Sequence, residues 1–126
     1  MQNRFYFKGS FSNVYKKSSK FSEVTSQILY GEKFKILFKN KNWIKIKSNF
    51  DNYKGYIQNK NYSKEFKANY KVSSLKAIIY KKPNLKTNIF LSLGSKLSVK
   101  EINKNYARID KNKWVKKKHI KNINYK

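Results

Sequence analysis

The sequence predicts an all-β protein made of two consecutive small barrels. Short segments that alternate apolar and polar residues, separated by turn residues, recur along the whole chain of 126 residues, as is typical of half-buried strands. No segment sustains the apolar spacing of an amphipathic helix. The order of the segments occurs twice, so we predict a first domain at 1–62, a linker at 63–71 and a second domain at 72–126.

Matching residues indicate that the second domain is a copy of the first. Tyr15 matches Tyr80, and each is followed by two lysines. Further along, the matching pairs are Gly31 with Gly94, Trp43 with Tyr106, and Tyr56 with Trp114. The number of residues between matched positions decreases toward the end of the chain, which indicates short deletions in the connecting loops of the second copy. Each copy has about 55 residues, near the lower size limit for a lone core, so we expect the two barrels to pack as one unit.

The strands of the first copy are predicted from alternation and from the turn residues between them. Gly9 permits a bend in the opening strand, and Gly31 suits a tight turn. The predicted strands of this copy are 4–15, 24–30, 34–38, 43–47 and 53–57, with a hairpin tip at 39–42.

The second copy repeats this order with shorter connections. Pro83, the only proline, is predicted in a loop, where its missing N–H costs nothing. The predicted strands of this copy are 72–80, 89–93, 96–102, 106–110 and 113–120.

The charge of the chain leaves two kinds of partner open. A formal net charge of +25 favours anionic surfaces, and lysines near a phosphate backbone release counterions. The lysines are spread along the chain, however, and Arg4 and Arg108 are the only arginines. A dedicated nucleic-acid protein more often clusters its charge and uses arginine for bidentate contacts. We therefore expect weak, non-specific contact with anionic polymers.

Several classes of chemistry are excluded by composition. The chain has no cysteine, which excludes disulfides, thiolate metal sites and a cysteine nucleophile within it. His119, the single histidine, stands beside three lysines and is predicted to be an ordinary surface residue. We therefore predict no catalytic residue, no metal ligand and no cofactor. The absence of a secretion signal and of a membrane-spanning stretch leads us to expect a cytoplasmic protein.

Strand alternation also selects candidate binding residues. In the segment beginning at Trp43, Ile44 and Ile46 share one face and Trp43 lies on the other. Three further aromatic residues alternate in the same way with apolar neighbours: Tyr56, Tyr106 and Trp114. Aromatic side chains off the core face can line a groove for a peptide or sugar. The alternative is that they pack the two domains together.

Several motifs of the first copy, in their order along the chain, resemble a bacterial SH3 domain. These motifs are Tyr15-Lys16-Lys17, Ser22-Glu23-Val24-x-x-Gln27, Gly31-Glu32, Trp43-Ile44-Lys45-Ile46 and Asp51-x-Tyr53-x-Gly55-Tyr56-Ile57. More narrowly, the chain resembles the paired bacterial SH3 (SH3b) domains that precede the catalytic domain of NlpC/P60 cysteine peptidases. The branch it is most similar to is dipeptidyl-peptidase VI, the γ-D-glutamyl-L-diamino acid endopeptidases. The second copy resembles the second domain of that pair through Tyr80-Lys81-Lys82-Pro83, Gly94-Ser95 and Trp114-Val115.

The resemblance implies two SH3-like barrels with a non-catalytic role in murein peptide recycling. In that family the catalytic domain follows directly and supplies a cysteine and a histidine, whereas this chain has no cysteine. It therefore looks like a module that binds murein (peptidoglycan) peptide and shapes specificity, with the NlpC/P60 catalytic domain C-terminal to it or separately encoded. In the family's first SH3b domain an acidic group and a tyrosine select a free amino terminus, which implies these roles for Glu23 and Tyr53.

Two functions are thus predicted. In the first, the chain binds murein peptide through Glu23, Trp43, Tyr53 and Tyr56, with Tyr106 and Trp114 as secondary candidates. In the second, it is a basic small-barrel module for nucleic acid, with aromatic residues and lysines on one sheet face. A dense stripe of lysines beside the aromatic residues would favour nucleic acid, and evenly distributed lysines would favour murein peptide.

Overall fold

The computed structural model describes residues 4–49 and 52–125, and these residues form an all-β fold as predicted. They contain strands β1 to β15 and one short 3-10 helix. The chain divides into two compact units between Glu65 and Phe66, a point that lies inside the segment predicted as the linker.

The first unit is one antiparallel sheet of seven strands. In chain order these are β1 (Arg4–Phe7), β2 (Phe11–Tyr15), β3 (Val24–Leu29), β4 (Lys33–Lys39), β5 (Trp43–Ser48), β6 (Lys54–Gln58) and β7 (Tyr62–Ser63). They neighbour each other in the order β3-β2-β6-β5-β4-β1-β7. The predicted opening strand 4–15 is divided around Gly9 into β1 and β2, and the two parts pair with different strands of the sheet.

The core of the first unit is built from the apolar side of these strands. Ile44 and Ile46 of β5 are completely buried, whereas Trp43 and Lys45 point to the other side and are partly exposed. This confirms the alternation predicted for the segment. The buried cluster consists of Phe7, Val14, Ile28, Phe34, Ile44, Ile46 and Ile57.

The second unit has two antiparallel sheets. Its strands are β8 (Tyr70–Val72), β9 (Lys76–Lys82), β10 (Leu85–Ser92), β11 (Lys96–Leu97), β12 (Glu101–Asn103), β13 (Tyr106–Asp110), β14 (Lys113–Lys116) and β15 (Ile120–Asn122). One sheet has the order β10-β9-β14-β13-β12, and the other has the order β11-β8-β15. The 3-10 helix, Lys117–His119, connects β14 to β15.

Three strands predicted as continuous in the second copy are each divided in two. The predicted strand 72–80 becomes β8 and β9, 96–102 becomes β11 and β12, and 113–120 becomes β14 and β15. In every case the first and second parts belong to different sheets. The chain therefore breaks its hydrogen-bonding pattern where it passes from one sheet to the other. The first predicted strand also begins earlier than expected, because β8 starts at Tyr70.

The same tight turn occurs in both units. Gly31 has φ 82° and Gly94 has φ 93°, backbone angles that favour glycine over residues with a side chain. The N–H of Gly31 donates to the carbonyl of Phe7 at 2.7 Å, and the N–H of Gly94 donates to that of Val72 at 3.1 Å. These shared turns support the duplication inferred from sequence.

Candidate functional site

Three aromatic side chains lie together on the sheet face of the first unit that points away from the core. Tyr15 lies opposite Tyr56 in the pairing of β2 with β6. The ring of Trp43 meets that of Tyr15 edge-on, with centroids 5.9 Å apart and planes at 86°. All three side chains are partly exposed, whereas Ile44 and Ile57 behind them are fully buried. We call Tyr15, Trp43 and Tyr56 the aromatic face.

A lysine completes this face. Lys45 lies opposite Tyr56 in the pairing of β5 with β6. Its Nζ is 5.8 Å from the centre of the Tyr56 ring, a cation–π contact that contributes about 0.5–1 kcal/mol at an exposed site. The face therefore presents flat apolar surface and positive charge together.

A pocket of about 410 Å³ opens at one end of the aromatic face. We call it the first basic pocket, and it is lined by Lys20, Lys41, Asn42, Trp43, Gln58, Asn59 and Lys60. Its volume lies in the range of small-ligand sites, which begins at about 300 Å³.

Hydrogen bonds fix the backbone around this pocket. The side-chain oxygen of Asn40 accepts from the N–H groups of Asn42 and Trp43, each at 2.9 Å. The N–H of Asn59 donates to the carbonyl of Asn42 at 2.9 Å, and its side-chain amide donates to the carbonyl of Asn40 at 2.8 Å. The hairpin tip before β5 is thereby held against the end of β6, so the pocket has a defined base.

Glu23 and Tyr53 lie toward the opposite end of β6 from Trp43. Glu23 is exposed just before β3, and its carbonyl accepts from the N–H of Lys16 at 2.9 Å. Lys16 follows Tyr15, which pairs with Tyr56, so in this antiparallel register Lys16 runs beside the residues that precede Tyr56. Tyr53 is about half exposed there, immediately before β6 begins.

The candidates of the first unit therefore form two groups. Trp43 and Tyr56 belong to the aromatic face, with Tyr56 near its middle. Glu23 and Tyr53 lie at one end of the sheet. Trp43 lies at the opposite end, because it pairs with Gln58, the last residue of β6.

The second unit repeats the aromatic face with other residues. Trp114 lies opposite Tyr80, as Tyr56 lies opposite Tyr15 in the first unit. The ring of Tyr106 meets that of Tyr80 edge-on, with centroids 5.1 Å apart and planes at 75°. Val115, next to Trp114, is fully buried, and Trp114 itself is only partly buried. The secondary candidates Tyr106 and Trp114 thus occupy the positions predicted for them by the repeat.

The connection after the first aromatic residue differs between the units. In the first unit the segment between β2 and β3 contains Glu23, whereas in the second unit β9 passes to β10 through Pro83 and Asn84 alone. Asn84 has φ 71°, a left-handed angle that asparagine tolerates in tight turns. The second unit therefore has no equivalent of Glu23.

His119 ends the 3-10 helix and is partly buried. Burial, followed by the charges of Lys118 and Lys116, lowers the pKa of His119 from its ordinary value of 6.5. Its Nδ1 has no hydrogen-bond partner within the described part of the chain. Residues 4–49 and 52–125 also contain no group of side chains that could hold a metal ion, and no helix among them is long and apolar enough to cross a membrane.

Sequence reasoning missed the lysines of the first basic pocket and the contact of Tyr15 with Trp43. Alternation shows on which face a strand residue lies, but it does not show which loops meet beside that face. The repeat contains a partial signal for the pocket lysines. A lysine follows Asn59 in the first copy, and the matching segment of the second copy, 116–118, consists of lysines.

Comparisons with known proteins agree with this fold. Residues 10–63 match the family model described as the bacterial SH3 domain. The structure is similar to the crystal structure of an NlpC/P60 family protein from Bacillus cereus ATCC 10987, with a TM-score of 0.74 over 94% of this chain at 12% identity. The match spans 55% of that protein, so the chain corresponds to about half of its length. A comparison with curated protein sequences finds no match.

Proposed function

We propose that this chain, whose residues 10–63 match the family model of the bacterial SH3 domain, binds murein peptide without catalysing its cleavage and shapes the substrate specificity of an NlpC/P60 endopeptidase. The observation that supports this proposal is the aromatic face, in which Tyr15, Trp43 and Tyr56 stay partly exposed above a fully buried core. Aromatic side chains with polar edges suit the alternating apolar and polar groups of a peptide.

Within the proposed site, different parts of the ligand meet different ends of the sheet. Trp43 and Tyr56 contact the body of the peptide. Glu23 supplies a carboxylate for the ammonium group of a free amino terminus, and Tyr53, at the same end of the sheet, supplies a hydrogen-bonding hydroxyl. The exposure of Glu23 and Tyr53 at one end of β6 supports this assignment.

Peptide cleavage would need a separate catalytic domain beside the proposed module. The chain has no cysteine, so the nucleophile of an NlpC/P60 reaction has to come from elsewhere. A partner domain carrying that nucleophile, C-terminal or separately encoded, is therefore part of the proposal. The cytoplasmic location stays a prediction.

Replacing Trp43 with alanine should weaken the binding of murein tripeptide about tenfold, because an aromatic contact in a groove contributes on the order of 1 kcal/mol or more. Titration of the isotope-labelled chain, followed by NMR, measures the affinity. Trp114→Ala is the matched control, since Trp114 lies in the second unit and its loss should mainly reduce stability. That reduction should be below the about 3–5 kcal/mol of a fully buried indole, because Trp114 is only partly buried.

Two results of this titration would count against the proposal. One is wild-type affinity in the Trp43→Ala variant while its spectrum remains that of a folded protein. The other is a set of peptide-induced shifts confined to the second unit.

A specific observation also favours nucleic acid as a second candidate ligand. Lysines lie beside the aromatic residues in both units, with Lys45 over Tyr56 and the Nζ of Lys116 5.8 Å from the ring centre of Tyr80. Binding to single-stranded oligonucleotides is then expected to be weak, indifferent to sequence and steeply dependent on salt, because dispersed lysines act by counterion release. Fluorescence anisotropy with two unrelated sequences at about 50 and about 200 mM salt tests this expectation. Tight binding to one sequence at the higher salt would make nucleic acid the leading candidate.

A further inference from the structure

The second unit contains a pocket that matches the first basic pocket. It has a volume of about 400 Å³, and we call it the second basic pocket. It is lined by Asn84, Asn105, Tyr106, Lys116, Lys117 and Lys118. As in the first unit, the lining combines one aromatic ring, asparagine side chains and three lysines.

The two pockets are built at equivalent places. Asn42 and Trp43 form one wall of the first pocket, and the repeat aligns them with Asn105 and Tyr106. The same backbone bond holds each base: the N–H of Asn59 donates to the carbonyl of Asn42 at 2.9 Å, and that of Lys117 donates to the carbonyl of Asn105 at 2.8 Å. The pocket is therefore a feature of the repeated unit and not of one loop.

Both pockets are strongly positive. Each is lined by three lysines, and none of the acidic residues in the described ranges lines either pocket. Among the described residues, the pocket lysines also have no carboxylate within ion-pair distance. Several lysines that line one cavity without an anionic partner favour an anionic ligand.

We propose that each basic pocket binds a carboxylate of an acidic peptide, so that the chain has two such sites, one in each unit. The lysines bind the carboxylate, the aromatic ring contacts the methylene groups that precede it, and the asparagine amides bond the peptide backbone. In the second pocket Asn84 is already oriented, because its side-chain oxygen accepts from the Tyr106 hydroxyl at 3.1 Å. Its amide N–H groups are then donors for a peptide carbonyl.

A peptide fits these pockets better than a nucleic acid does. Single-stranded nucleic acid binds along platforms where successive bases stack on successive aromatic rings. Each pocket offers one aromatic residue, Trp43 or Tyr106, and a cavity of about 410 or 400 Å³ that has room for a side chain and its flanking backbone. The inference rests on the proposed function for its ligand class, a peptide. It goes beyond that function by specifying an acidic peptide and by giving the second unit a site of its own.

The test uses the full chain, labelled with nitrogen-15, and acetylated tetra-L-glutamate as the probe. Binding should shift the amide signals of both pockets, 41–43 with 58–60 and 105–106 with 116–118. Lys117→Gln combined with Lys118→Gln should weaken the response of the second pocket about fivefold and leave that of the first unchanged, since each exposed ion pair contributes under about 1 kcal/mol.

The repeat supplies matched controls for this experiment. Lys81→Gln with Lys82→Gln removes the same charge from exposed positions of the second unit outside the pocket. In the first unit, Lys41→Gln with Lys60→Gln is the pocket variant, and Lys16→Gln with Lys17→Gln is the control at positions that match Lys81 and Lys82. A control pair should change the affinity less than about twofold at physiological salt, where distant charges are screened.

Three outcomes would overturn the inference: equal losses for pocket and control variants, shifts confined to the first unit, or displacement of the peptide by an equimolar single-stranded oligonucleotide. A parallel titration with murein tripeptide separates this inference from the proposed function. If the tripeptide shifts the signals of Trp43 but tetraglutamate does not shift those of Tyr106, the inference is wrong and the proposed function is unaffected. If tetraglutamate binds in both pockets but the tripeptide does not bind, the inference is supported and the proposed function is wrong.

Discussion

Replacing Phe34 with alanine is expected to lower the free energy of unfolding of the first unit by about 3–5 kcal/mol. Phe34, on β4, is completely buried. Its ring stacks on Phe5 of β1 with centroids 6.2 Å apart and meets Tyr62 of β7 edge-on at 6.0 Å. It therefore joins three strands at one edge of the sheet. Because a small domain is stable by only about 5–15 kcal/mol, this loss should leave the first unit largely unfolded on mild heating.

Urea unfolding followed by circular dichroism measures this effect. Phe38→Ala is the control, because Phe38 lies on the same strand but is 56% exposed and should change stability by less than about 1 kcal/mol. Equal effects of the two substitutions would show that the cluster around Phe34 does not carry the stability of the unit. The same curves test the predicted packing of the two barrels as one unit: separate transitions for the two halves would contradict it.

Gly55→Ala should be the second most damaging of these substitutions, with a loss of about 3 kcal/mol. A Cβ at Gly55 would lie 2.5 Å from Cγ1 of Val14 and 2.8 Å from the carbonyl oxygen of Tyr15. Val14 is buried in the core, so its side chain has little room to rotate away. The carbonyl belongs to β2, which pairs with β6 through Tyr15 and Tyr56 and is therefore fixed in place. Relief of the overlap therefore separates β2 from β6, which also displaces the aromatic face.

Lys113→Ala is the control for this substitution, since the repeat places Lys113 at the position of Gly55 and the second unit already accepts a side chain there. Thermal melts report stability, and murein tripeptide titration reports the aromatic face. A Gly55→Ala variant with both the melting temperature and the affinity of the wild type would refute the argument from close contact.

Much of this fold could be predicted because alternation records burial directly. Trp43, Tyr56, Tyr106 and Trp114 are all partly exposed next to buried neighbours, as the sequence pattern indicates. The divided strands of the second unit could not be predicted in this way, because alternation does not show which strands a segment pairs with. The pairing of β8 with β11 and with β15 reveals that change.

The basic pockets were harder to predict than the strands for a different reason. A pocket forms only where two segments meet, here the hairpin tip at Asn42 and the end of β6 at Asn59. A hydrogen bond between backbone groups joins these segments, and such a bond cannot be recognised from residue types. Lysines are so frequent that Lys41 and Lys60 do not stand out. The binding roles of Glu23 and Tyr53 stay predictions.

The pairing of first and last strands has a consequence for synthesis of the protein on the ribosome. In the first unit Phe7 of β1 lies opposite Tyr62 of β7, and in the second unit Val72 of β8 lies opposite Ile120 of β15. Neither sheet can be completed until its final strand has left the exit tunnel, and contacts between distant residues form more slowly than local hairpins. The first unit can therefore finish folding while the second is still being translated, and the second becomes complete only when β15 has left the tunnel.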